Sequence, residues 1–244
     1  MAHYQMSADN FTRPTTGFWQ ELVTAASLLA STSFSLTPPY RYGVPVQLPD
    51  GRYLVLPIRQ IAGQEGHAVA SLIANQASFD VVRTLSAMMV ALARPFAPEV
   101  VVGLPTLGFA FAPLVAEHLG HARFVPLGYS RKFWYDDALS MPVQSLTTPG
   151  AGKRIFLDPN QLALLKGRRV ILIDDAVSTG GTLTAVLALF EAAGVEVTGI
   201  VVAMCQGNVW RERLGPARAA TVAGVFESPR LRLREDGWWP QSCC

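Results

Sequence analysis

The apolar positions of this chain follow two different rhythms, and the change between them falls near Glu99. Ahead of that point the pattern mixes helix and hairpin, as in a small α+β region. GFWQELVTAASLLA (17–30) sets Phe18, Leu22, Ala25 and Leu29 at helical spacing and predicts a helix. YGVPVQLPDGRYLVLPI (42–58) predicts a β-hairpin about the turn residues Pro49, Asp50 and Gly51. Ser78–Arg94 predicts a second helix, with Val82, Leu85, Met89 and Leu92 on one face and Pro95 and Pro98 as its stop.

Beyond Glu99 short apolar runs alternate with helical patterns. EVVVGLP (99–105), ARFVPLGY (122–129), KRIFLD (153–158), RRVILIDD (168–175) and VEVTGIVVAM (195–204) read as strands. GFAFAPLVAEHLG (108–120) reads as a helix closed by Gly120. TLTAVLALFEAAG (182–194) reads as another, with Leu183, Val186, Leu187 and Phe190 on one face and Gly194 as its C-terminal stop. Continuous apolar strands alternating with helices predict a parallel sheet buried on both faces, and in such sheets ligands sit at the carboxyl ends of the strands.

Composition narrows the class. Half of the 244 residues are hydrophobic and 16% are charged, so the chain is globular rather than disordered. A chain of this length can bury about 70–75% of its extended surface around one core. Runs such as GIVVAM are too short to span a bilayer, and MAHYQMSADNFTRP does not read as a secretory signal. We therefore expect no membrane partner and a cytoplasmic location. The three cysteines, Cys205, Cys243 and Cys244, make no disulfide framework, which suits a reducing compartment. The terminal Cys243–Cys244 reads as a frayed tail, and His118 and His121 as helix-end residues rather than metal ligands. A net charge of +2 implies no polyanion partner. Residues 1–98 carry six arginines and no lysine, which argues against a nucleic-acid-binding helix-turn-helix.

The chemistry concentrates in VILIDDAVSTGGT (170–182). Gly180 and Gly181 let backbone N–H groups approach a ligand without Cβ obstruction, while Ser178, Thr179 and Thr182 add hydroxyl donors. The loop feeds a helix N-terminus, whose N–H groups and dipole favour an anion. This is the pattern of a phosphate cradle, although neither the Walker loop nor the dinucleotide G-x-G-x-x-G is present. Asp174 and Asp175 would repel a phosphate. They suit vicinal hydroxyls, such as those of a ribose attached to it.

This stretch resembles the phosphoribosyl-pyrophosphate signature of the type I phosphoribosyltransferases, and the resemblance extends over roughly Glu99–Gly207. It implies a doubly wound parallel α/β sheet with a small α+β hood. The implied division is hood 1–98, core 99–207 with a flexible loop 130–152, and a C-terminal extension 208–244 packing on core or hood. It also implies roles. Asp174 and Asp175 would bind the ribose hydroxyls; Ala176, Val177, Ser178, Thr179, Gly180, Gly181 and Thr182 would bind the 5′-phosphate. GLPTLGFAFA resembles the pyrophosphate loop and implicates Thr106, Leu107 and Gly108, with Thr106–Leu107 as the natural place for a cis peptide. SRK resembles the Arg-Lys element of the catalytic loop in adenine and orotate enzymes, so Arg131 and Lys132 would be catalytic. Phe133, Trp134, Tyr135, Asp136 and Asp137 follow where orotate-type loops carry a second basic residue.

The spacing from RIFLDP through LLKGRRVILIDD most resembles the adenine branch. The implied function is transfer of ribose 5-phosphate from phosphoribosyl pyrophosphate to a nucleobase, expected to be a purine, with release of pyrophosphate. Mg²⁺ would be the cofactor, held by Asp174 indirectly through substrate or water, and a homodimer is expected. Residues before Glu99, with Trp238 and Trp239, would cover the base; Arg59, just after the hairpin strand, is either an ordinary surface arginine or a contact to the base or the pyrophosphate. The alternative is a non-catalytic sensor of phosphoribosyl pyrophosphate; an unrelated phosphosugar binder has only the sheet in common.

Overall fold

Val170, Ile171, Leu172 and Ile173 have no solvent exposure, so the apolar run ahead of the acid pair lies inside a sheet covered on both faces. The computed structural model describes residues 14–31, 33–143 and 153–241. Contacts divide the chain into two compact units: Val82–Val225, and the residues up to Val81 together with those from Phe226. Strands and helices are numbered along the chain.

The unit Val82–Val225 is the α/β one. Its strands are β4 (Val100–Gly103), β5 (Val125–Pro126), β8 (Val170–Val177), β9 (Val197–Gln206) and β10 (Val222–Ser228), in the sheet order β10-β9-β8-β4-β5. β9, β8, β4 and β5 run parallel. The chain moves outward from β4 to β5 in one direction and from β8 to β9 in the other. The topological switch point therefore falls between β4 and β8, the place where doubly wound sheets bind ligands. The helices are α2 (Phe79–Ala93), α3 (Ala112–His118), α4 (Leu162–Leu165), α5 (Gly181–Ala192) and α6 (Val209–Ala219). α5 buries Leu183, Val186, Leu189 and Phe190. It ends as its sequence implies: Gly194 takes φ +67 and Val195 N donates to Phe190 O. Each such buried aliphatic contributes roughly 1.5–3 kcal/mol, which makes β8 a fixed platform.

Two expected strands of this unit come out differently. KRIFLD does not join the parallel sheet. Its core, β7 (Arg154–Phe156), pairs antiparallel with β6 (Ser140–Pro142) and bridges Gly128. ARFVPLGY keeps only Val125–Pro126 as strand, because Gly128 turns to exchange hydrogen bonds with Phe156. The helix expected over 108–120 opens as a 3-10 turn (Leu107–Ala110) and becomes α3 only at Ala112.

The other unit carries the antiparallel sheet β1-β2-β3-β11-β12, formed by β1 (Gly43–Gln47), β2 (Tyr53–Gln60), β3 (His67–Ala70), β11 (Arg230–Arg234) and β12 (Gly237–Pro240). The predicted hairpin is there, in register from Gly43↔Pro57 to Gln47↔Tyr53. The helix predicted over 17–30 shrinks to α1 (Ala25–Ala30), capped by Thr24. Val23 instead exchanges two backbone hydrogen bonds with Tyr53, and the Trp19 indole donates to Ser71 O. Tertiary pairing overrides helical spacing there. The unit boundaries also differ from the expected 98 and 207. β11 returns to pair with β3, as in Arg230↔Val69, which draws the chain after Phe226 into the N-terminal unit. Among the described residues no helix is long and apolar enough to cross a membrane. Cys205 is buried in the core; Cys243 and Cys244 lie outside the described residues.

Candidate active site

The acid pair sits on β8 at the switch point. Asp174 pairs in register with Val202 of β9 and is buried; Asp175 is half-buried. Asp175 N donates to Asp174 Oδ1 at 2.9 Å. Burial first, then the charge of Asp175, pushes the Asp174 carboxyl well above the ordinary carboxylate range. Burial likewise raises Asp175, to about 6, against hydrogen bonds that favour its ionised form. Two carboxyl groups this close share a proton unless a cation or hydroxyl donors join them.

The expected pyrophosphate loop lies against this pair. At Gly108 a Cβ would stand 2.9 Å from Asp174 Oδ1 and 2.9 Å from Ile173 O, so only glycine lets the turn after β4 close onto the end of β8. The adjacent Thr106 is exposed and Leu107 half-buried. The cis bond lies one position before the expected Thr106–Leu107, at Pro105–Thr106; Leu107 already belongs to the 3-10 turn.

On the other side of the pair, Ala176 and Val177 complete β8, and the Val177 side chain is in the core. The loop proper is therefore Ser178–Gly180. Ser178 Oγ donates to Gln206 Oε1 at the end of β9. Gly180 takes φ +75, a left-handed conformation that favours glycine, and no side chain caps α5 behind it. Trp210 backs the loop, its Cα 3.4 Å from where a Gly180 Cβ would stand. The expected cradle, Ala176–Thr182, is thus a strand end, a short loop and the open N-terminus of α5.

Arg131 and Lys132 are exposed and form no ion pair with Asp174 or Asp175. Arg131 Nε instead donates to Asp137 Oδ1 at 2.8 Å. Their segment is partly ordered by the 3-10 turn Asp137–Leu139 and by β6; residues 144–152, with Pro149, Gly150 and Gly152, lie outside the described residues. Arg59 is inside β2, and its guanidinium donates to Ser71 Oγ and Thr15 Oγ1. Trp238 is fully buried within its own unit, so of the tail pair only Trp239 keeps an accessible face.

One neighbour of the acid pair escaped the sequence reading. The Tyr129 phenol is pushed up to about 12, chiefly by burial and then by the charge of Asp174, while hydrogen bonding with the Thr182 side chain opposes the shift. Its only signal in the sequence is its place as the last residue of the expected strand ARFVPLGY.

The family model for the phosphoribosyl transferase domain matches residues 68–220. The chain belongs to the phosphoribosyltransferase family. An adenine phosphoribosyltransferase of Frankia alni is 31% identical over 149 residues, which is 61% of this chain and 74% of that protein. One from Clostridium kluyveri is 37% identical over 102 residues, 42% of this chain and 55% of its own length. The chain spans 24% to 55% of the length of several other curated relatives it matches, among them a hypoxanthine/guanine phosphoribosyltransferase of Methanocella arvoryzae, 51% identical over 45 residues, 18% of this chain and 24% of that protein. Among solved structures, the APRTase from Giardia lamblia, complexed with 9-deazaadenine, aligns with a TM-score of 0.57 at 24% identity. That alignment covers 70% of this chain and 93% of the other. The fold is shared with this phosphoribosyltransferase.

Among the described residues no group of three or more His, Cys, Asp and Glu could hold a metal by itself. The paired carboxyls nevertheless fit Mg²⁺, a hard cation that takes few protein carboxylates and keeps substrate oxygens and water as its other ligands.

Proposed function

We propose that this protein transfers the ribose 5-phosphate group of phosphoribosyl pyrophosphate to a purine base and releases pyrophosphate. The observation that carries the reading is one juxtaposition: an acid pair on the central strand at the switch point, with the glycine turn of β4 packed on one side and an anion cradle on the other.

The roles follow from charge. The ionised Asp174 and Asp175 accept hydrogen bonds from the ribose 2′ and 3′ hydroxyls and hold C1 over the sheet edge. Ser178–Gly180 and the first turn of α5 bind the 5′-phosphate with neutral donors. As the bond from C1 to the pyrophosphate oxygen breaks, negative charge grows on the leaving group, and the backbone of Thr106–Gly108 faces that growth. The base nitrogen supplies the electron pair for the new bond to C1 and loses its proton to solvent. Mg²⁺, held by Asp174 through substrate or water, would add charge compensation on the pyrophosphate oxygens. Lys132 and Arg131 would meet the same oxygens when their segment closes. The exposed Arg131–Asp137 pair opposes this little, since such pairs contribute about 0–1 kcal/mol.

The test is pyrophosphate release with Mg²⁺ and the donor, screened across adenine, guanine, hypoxanthine, xanthine, orotate and uracil. A purine, adenine first, should support release. Donor binding with no release on any base would replace the enzyme with a sensor.

A further inference from the structure

We infer that Lys153 is a cation held ready for the donor's phosphoryl groups, and that the ring of Tyr129 positions it. Lys153 Nζ stands 3.6 Å from the centroid of the Tyr129 ring, well within the range of a cation–π contact. Tyr129 is in turn the aromatic group beside Asp174, Asp175 and Thr182, the last being its hydrogen-bond partner. The ammonium and the acid pair therefore share one aromatic neighbour. Pairing of Gly128 with Phe156 holds the two segments together, because it fixes the residue before Tyr129 against the strand that Lys153 leads into.

Three features separate this lysine from a surface one. It is half-buried, and among the described residues it forms no ion pair. The ring satisfies charge but accepts no strong hydrogen bond, so the ammonium keeps N–H donors available to an incoming oxygen. Finally, among the described residues no cation lies within ion-pair distance of the two carboxyls, while the proposed donor carries a phosphate and a pyrophosphate. A lysine suits that task, as a compact point charge on a movable stem.

The inference rests on the donor proposed above, and the experiment separates the two. Calorimetric titrations with phosphoribosyl pyrophosphate and Mg²⁺, ribose 5-phosphate and pyrophosphate are run on the parent, Lys153→Met, Lys153→Arg and Tyr129→Leu. Loss of one charge-assisted contact predicts a donor affinity about 10- to 100-fold weaker for Lys153→Met. At least one of the two smaller anions should weaken in parallel, which tells which phosphoryl group the ammonium meets. Lys153→Arg should recover most of the loss, and Tyr129→Leu should reproduce it by releasing the lysine. The nucleobase KM should stay near the parent value, a split that a merely structural role for Lys153 would not give. If Lys153→Met binds all three ligands like the parent, Lys153 is not a ligand-binding residue, and the proposed function stands untouched. If Lys153→Met weakens binding but Tyr129→Leu does not, the positioning role is overturned. A parent that binds none of these anions overturns both readings.

Discussion

Replacing an acid of the β8 pair should stabilise the protein while abolishing donor binding. Without ligand, Asp174 and Asp175 are two carboxyls confined together by a strand whose preceding four residues are fully buried. Asp175 titrates at about 6 instead of 3.8, and at 1.36 kcal/mol per tenfold change in proton affinity that displacement corresponds to about 3 kcal/mol. Solvent at the half-buried Asp175 reduces it to roughly 2 kcal/mol. The sign follows from proton binding. Between pH 3.8 and about 6 the folded protein holds more protons than the unfolded chain, so stability falls as pH rises through that window and stays lower above it. Asp175→Asn does not titrate and keeps the shape. Its advantage should be near zero at pH 4 and complete by pH 7, where a gain of roughly 2 kcal/mol raises the thermal midpoint by about 4–8 °C.

The assay is a series of thermal melts from pH 4 to pH 8, with and without phosphoribosyl pyrophosphate and Mg²⁺. Donor at a hundredfold excess over its Kd should stabilise the parent by about 2.7 kcal/mol. The double variant Asp174→Asn with Asp175→Asn should gain nothing from it. An Asn variant less stable than the parent at pH 8, or one whose advantage does not change with pH, would refute the cost assigned to burying an ionised Asp175. A double variant still stabilised by donor would refute the ribose assignment.

Three further outcomes are expected. Donor affinity in the parent should fall as pH drops below about 6, because ribose hydroxyls need ionised acceptors; binding near pH 6 should release protons, seen as a calorimetric heat that depends on the buffer. Gly108→Ala forces a methyl against Asp174 and the Ile173 carbonyl, which should cost about 1–3 kcal/mol in chemical denaturation and weaken the donor; a neutral result would mean that the turn can move away. Lys132→Ala should lower kcat by roughly 10²–10³ with little change in donor Kd, as for a contact made in the transition state; intact turnover would make its segment an ordinary insertion, and Trp134→Phe identifies the closure signal in tryptophan fluorescence.

Legibility in the sequence followed the locality of the forces. β8 and α5 could be read because an apolar run, an acid pair and glycines at Gly180 and Gly194 each act within a few residues. The 17–23 segment could not, because Trp19 and Val23 are held by Ser71 and Tyr53, partners distant along the chain. KRIFLD is apolar enough for any buried strand, and only its pairing with Ser140–Pro142 decides that it runs antiparallel. The return of β11 to β3 is likewise topology rather than local pattern. At the site, motif points to Asp174, Asp175 and Gly108, while their closeness belongs to the fold. Tyr129 and Lys153 belong to no recognised spacing, since a ring and an ammonium from different segments meet only in the fold.

The position of the acid pair also limits how its charge can be relieved. Ile173 is fully buried and Val177 lies in the core, so β8 is anchored on both sides of Asp174, Asp175 and Ala176. The carboxyls cannot separate by a strand shift without pulling apolar side chains into water, at roughly 1.5–3 kcal/mol each. The cost of burying these carboxylates, together with the repulsion Asp174 feels from Asp175, cannot relax through the backbone and must be relieved by a proton, a cation or hydroxyl donors. Below about pH 6 the proton suffices. Above it Asp175 ionises, and ionisation of both acids awaits a ligand that brings hydroxyls and positive charge together, as a ribose bound with Mg²⁺ would. A site built this way discriminates through its electrostatics: an anion without hydroxyls would add charge to a pair already crowded with it. Ribose 5-phosphate with Mg²⁺ should therefore bind more tightly than inorganic phosphate with Mg²⁺, and the difference should vanish in the double Asn variant. Equal affinities in the parent would mean that the cradle alone selects the ligand and that the acids are bystanders.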